Sequence, residues 1–71
     1  MKRFGEKLAS LRKERGLTAR QLGTMLDVSH TFVLHLEKGQ RTPNAAMILK
    51  IADIFGVATD QLMRDELELD G

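Results

Sequence analysis

His30 and His35 are the residues of this chain best suited to acid–base or metal chemistry, and their spacing argues against a metal site. Five positions apart, they do not share a helical face as ligands four apart do, and no cysteine is available to complete a metal set. No metal site and no cofactor is expected. The carboxylates Asp65, Glu66, Glu68 and Asp70 read as a solvated tail, not as an acid–base pair. Ser29 has no candidate base and is explained as a helix cap. There is no glycine-rich phosphate loop, so the chain does not read as an enzyme. What remains is a distribution of charge. Residues 1–43 carry nine Lys/Arg against four Asp/Glu, whereas residues 44–71 carry two against six. A basic front and an acidic back suggest a polyanion on one side only.

The elements that position these groups must come from a small domain. A 71-residue chain buries only about 60% of the surface its unfolded form exposes. Without cysteine, no disulfide can reinforce it, which fits a reducing compartment. Its apolar stretches are only a few residues long, far short of a membrane span. The start, Met1-Lys2-Arg3-Phe4-Gly5-Glu6, is basic with no apolar signal segment after it. A cytoplasmic protein with no membrane partner is expected.

Apolar periodicity is helical throughout, and no run alternates like a strand. A first helix is predicted from Phe4 to Arg15, with Phe4, Leu8 and Leu11 on one face and Gly16 ending it. A second starts at Thr18, where Thr18 and Gln21 fit a capping box, and stops near Asp27; Leu22, Met25 and Leu26 form its apolar face. Ser29 caps a third, which runs to about Lys38 with Val33, Leu36 and one side of Phe32 inward, and Gly39 ends it. Gln40-Arg41-Thr42-Pro43 is a loop. Asn44 caps a fourth helix running to Phe55, with Ala45, Ile48, Leu49, Ile51, Ala52 and Phe55 as its buried stripe. A short fifth begins at Thr59 or Asp60 and includes Leu62. The domain is placed at residues 1–64, and residues 65–71 are an acidic tail expected to fray. Met25, Met47 and Met63 read as packing residues. The fold class is all-α, five short helices in a compact bundle.

Only Asp27-Val28-Ser29 separates the second and third helices. So short a turn makes them cross steeply, and Gly23 sits where their backbones approach. The third helix then projects at the surface. This is helix-turn-helix geometry, in which the second helix of the pair enters the DNA major groove and the first spans the backbone.

The chain resembles the Cro and phage-repressor type helix-turn-helix proteins, the XRE family, whose fold is that of a lambda-repressor-like domain. The matching residues are Leu11-Arg12, Gly16-Leu17-Thr18, Gln21-Leu22, Val28-Ser29, Glu37-Lys38-Gly39, Pro43, Ile51-Ala52 and Gly56-Val57. Any one of these is weak, but their joint order and spacing over about residues 4–62 are specific. The resemblance implies a buried ion pair between Arg12 and Glu37. It implies base reading by the exposed face of the third helix, here His30, Thr31, Leu34 and His35. Histidine donates or accepts at a base edge, and Thr31 and Leu34 offer apolar contact to a thymine methyl. Backbone phosphates would meet Arg20, Gln21, Lys38, Gln40, Arg41 and Thr42. Two departures stand out. Ala19 replaces a glutamine that often helps clamp a phosphate, and Asp27 replaces a left-handed glycine in the turn.

The resemblance further implies a regulator, a repressor binding double-stranded DNA as a homodimer. Met63, Leu67 and Leu69 are apolar residues that the core does not require, and they form the expected dimer surface. A phage-type repressor, a restriction–modification controller and an antitoxin that also binds a toxin all share this size. The competing reading is a protein-interaction module, with Leu34 and Phe32 near the exposed face and Ala19 in place of a phosphate ligand.

Overall fold

The computed structural model describes residues 1–69; Asp70 and Gly71, the last two positions of the predicted tail, lie outside the described residues. Five helices follow in order: α1 Phe4–Glu14, α2 Ala19–Leu26, α3 His30–Glu37, α4 Ala45–Phe55 and α5 Thr59–Met63. Each bound lies within a residue or two of the periodicity reading, because the signals that set it are local. Thr18 Oγ1 accepts from the Gln21 amide at 3.0 Å and Gln21 Oε1 accepts from the Thr18 amide at 2.8 Å, a complete capping box. Ser29 and Asn44 cap α3 and α4 through the amides of Phe32 and Met47. Gly16, Gly39 and Gly56 are left-handed at the helix ends.

The core is Phe4, Leu8 and Leu11 from α1, Leu22 and Leu26 from α2, Val33 and Leu36 from α3, Ile48, Ile51, Ala52 and Phe55 from α4, and Leu62 from α5. The helix pair α2–α3 packs against α1, and α4 and α5 close the other side. Three expected core positions face water instead. Met25 is 43% exposed, because Leu22 and Leu26 already fill the single turn of α2 that meets the core. Ala45 and Leu49 are exposed on α4, Leu49 by 57%. Six apolar positions on an eleven-residue helix span more than one face, and the bundle takes only the 48–51–52–55 stripe.

The largest departure from expectation is the tail. Residues 65–69, which the sequence places in the tail, fold back on the N-terminal segment and the start of α1. The Asp65 carboxylate accepts from the backbone amides of Lys2 and Arg3 at 2.9 and 2.8 Å. Arg3 makes a two-pronged bond to Glu68 at 2.9 and 3.1 Å and donates to the Asp65 carbonyl. Lys7 is 2% exposed, and its ammonium donates to the carbonyls of Gln61, Arg64 and Leu67 at 2.5–2.7 Å. Those three bonds use every donor of the group, which is how a buried charge is accommodated. Leu69 consequently packs against the core and is not a spare apolar residue.

The same contacts revise the charge argument. Arg3 and Lys7 belong to the basic front in sequence, but the acidic back has folded onto them. Arg12 is paired with Glu37, and Arg15 donates to the Phe55 carbonyl with its guanidinium over the Phe55 ring. Arg20 on α2 and Lys38 and Arg41 after α3 stay exposed and make no ion pair among the described residues.

Candidate nucleic-acid interface

The turn between α2 and α3 is built by four local constraints. Asp27 adopts φ 60°, ψ 43°, the left-handed conformation, which reverses the chain after Leu26. The Val28 amide then donates back to the Gly23 carbonyl at 2.8 Å. Gly23 itself has no room for a side chain: a Cβ there would stand 2.7 Å from the Val28 carbonyl oxygen and 3.3 Å from the His30 nitrogen. Any larger residue would push α3 away from α2. Ser29 closes the turn by capping α3.

The far end of α3 is fixed by α1. Arg12 Nε donates to Glu37 Oε2 at 2.6 Å and Arg12 Nη2 to Oε1 at 3.0 Å, both side chains being largely covered. Arg12 Nη1 also holds the Leu17 carbonyl at 3.0 Å, so one guanidinium joins α1, the linker before α2 and the end of α3. The hydrogen-bonded Glu37 carboxylate raises the Arg12 pKa further above its ordinary value. Sequence reasoning did not anticipate Gly5, which stands where α1 crosses that end. A Cβ at Gly5 would collide with the Leu36 and Glu37 carbonyl oxygens.

Held at both ends, α3 turns Val33 and Leu36 inward and leaves its opposite side open. His30 and Thr31 are exposed, and Leu34 and His35 are half-buried on the same outer side. Arg20, Gln21, Lys38, Gln40, Arg41 and Thr42 are all exposed around it. Gln21 uses its carbonyl oxygen in the cap of α2, leaving its amide hydrogens as donors. The amides of Gln40 and Arg41 both donate to the His35 carbonyl, at 2.9 and 3.3 Å, which folds the loop back onto α3. The Arg41 guanidinium lies over the Phe32 ring, 5.7 Å from its centroid.

Of the residues expected to form a dimer surface, Met63 and Leu67 are 41% and 37% exposed, whereas Leu69 is withdrawn into the core contact. A second apolar feature, invisible in the sequence pattern, is a groove where α4 meets α5, lined by Met1, Pro43, Leu49 and Met63. Among the described residues, no group of three His, Asp or Glu side chains is arranged to hold a metal ion. No helix there is long and apolar enough to cross a membrane.

Comparison with known proteins agrees with this geometry. The helix-turn-helix family model matches residues 8–62. The HTH-type transcriptional repressor RghR of Bacillus subtilis (strain 168) is 41% identical over 64 residues, covering 89% of this chain and 47% of that protein. The chain thus spans about half of that relative's length. The restriction–modification controller protein C.AhdI of Aeromonas hydrophila superposes with a TM-score of 0.76 at 29% identity, over 87% of this chain and 90% of the other. The P22 c2 repressor, solved in complex with a synthetic operator, has the same fold, with a TM-score of 0.82 at 24% identity over 89% and 96% of the two chains.

Proposed function

The chain belongs to the helix-turn-helix family of DNA-binding transcriptional regulators, and from that premise we propose that it is a repressor that binds a palindromic operator as a homodimer through the major groove. The observation that carries the reading is the outward side of α3. His30, Thr31, Leu34 and His35 stand open between exposed groups suited to phosphate contact: Arg20 and Gln21 on one flank, Lys38, Gln40, Arg41 and Thr42 on the other. The first set reads base edges and the second fixes register on the backbone. Because the reading set contains neither arginine nor glutamine, it lacks the strongest bidentate base contacts. Sequence choice therefore leans on half-site spacing and DNA shape. The similarity to RghR supports the sign of regulation.

The dimer surface is formed by Met63 and Leu67, extended by Leu49 and Met1 across the α4–α5 groove. Two copies so joined present their α3 helices about 34–36 Å apart, one turn of DNA. Selection of bound duplexes from a random pool tests the whole reading. Inverted repeats at that spacing are the expected product. The cationic contacts Arg20, Lys38 and Arg41, counted in both copies of the dimer, should give a log–log salt slope near −5. A pool that never enriches, together with binding that ignores salt, would leave only a protein-interaction role for the exposed face.

A further inference from the structure

We propose that Phe32 is a positioning residue that makes Arg41 part of the reading helix; the inference rests on the DNA-binding reading and specifies how one of its phosphate contacts is organised. Arg41 lies in a loop by sequence, yet both ends of the residue are tied to α3. Its backbone amide donates to the His35 carbonyl, and its guanidinium rests over the Phe32 ring, 5.7 Å from the centroid. The ring itself is fixed. Phe32 is half-buried, packs against the core, and begins from a backbone amide held by Ser29.

Arg41 also differs from the arginines whose donors are engaged. Arg3 pairs with Glu6 and Glu68, Arg12 with Glu37, and Arg15 with the Phe55 carbonyl. Among the described residues, no carboxylate pairs with Arg41 and no hydrogen bond holds its guanidinium. Attraction to a ring face restrains a guanidinium without consuming its N–H groups, which stay free for another partner. That arrangement suits a two-pronged contact to a phosphate oxygen pair. On the α3 wheel, Phe32 borders the open side opposite the border where Glu37 meets Arg12, at 100° per residue. The ordered charge therefore stands at the rim of the reading face, moving with it.

The test is a double-mutant cycle on a random-sequence DNA duplex, with affinity measured as a function of salt. Arg41→Ala should flatten the log–log salt slope by about one for each bound monomer, about two for the dimer. Phe32→Leu should weaken binding about two- to fivefold with the slope unchanged, because the charge remains and only its order is lost. In the Arg41→Ala background, Phe32→Leu should have no further effect, and Phe32→Tyr should bind as the parent does. Without DNA, the Arg41 side-chain protons should show an aromatic ring-current shift that Phe32→Leu removes. The proposal is overturned if Phe32→Leu weakens binding equally with and without Arg41, if it leaves affinity unchanged, or if the ring-current shift is absent. A parent chain that binds no duplex would instead refute the proposed function.

Discussion

At the scale of single residues, the open face of α3 and the ion pair behind it make separate demands. His35 is half-buried and its ring contributes to the outer side of α3. His35→Ala should change which of the selected operators is preferred while leaving binding to unrelated DNA nearly intact; unchanged discrimination would remove it from the reading set. Arg12 acts on stability. Its removal leaves the Glu37 carboxylate covered and without its partner. Arg12→Ala should cost about 3 kcal/mol in urea denaturation, a large share of what a domain this small has. A loss under about 1 kcal/mol would mean that water replaces the guanidinium freely.

The elements show which sequence signals survive folding. Caps and turns were legible because their partners are close in sequence: three positions for Thr18 with Gln21, Ser29 with Phe32 and Asn44 with Met47, and five to seven for Gly23 against the turn it abuts. Facing was legible only in part. Periodicity marked Leu22 and Ile48 as core, but it could not say that the bundle would leave Met25 and Leu49 outside. The Arg12–Glu37 pair was visible only through family resemblance, since two charges 25 positions apart carry no local mark. The turn also contains the one residue with positive φ that is not glycine among the described residues, Asp27. An L residue pays for left-handed geometry with about 1–2 kcal/mol, less for aspartate. Glycine relieves that strain but also loosens the unfolded chain by about 0.4–1 kcal/mol, so Asp27→Gly should stabilise the fold only slightly, by under about 1 kcal/mol, with a small rise in the melting midpoint. A lowered midpoint would show that the aspartate side chain supports the turn.

For the molecule as a whole, the decisive contacts join its two ends, and these were hidden from sequence reasoning. Lys7 looked like any solvated helix charge because its three carbonyl partners lie 54–60 positions away. The acidic tail looked detached because its amide and guanidinium partners lie just as far. The docked tail has a pH signature. Backbone amides of Arg3 and Lys2 hold the Asp65 pKa below its ordinary value, and the Arg3 guanidinium does the same for Glu68. Folded values below unfolded ones mean that this stabilisation is complete above the unfolded carboxylate range, near pH 4, and is lost as pH falls through the folded values. Acid should release residues 65–69 before the core melts, seen as faster amide exchange there and a changed Leu69 methyl signal. Asp65→Asn should loosen the tail at neutral pH as well. A tail that stays protected until global unfolding would show that Leu69 packing alone holds it.

The enclosed ammonium of Lys7 has a practical corollary. An amine-acylating reagent added to the native chain should modify Lys2, Lys13, Lys38 and Lys50, which are exposed, and spare Lys7, which is 2% exposed. Mass-spectrometric appearance of label on Lys7 then clocks each opening of the seam between the first helix and the chain's end, with no probe added by mutation. Equal labelling of all five lysines would mean that the seam opens faster than the reagent reacts.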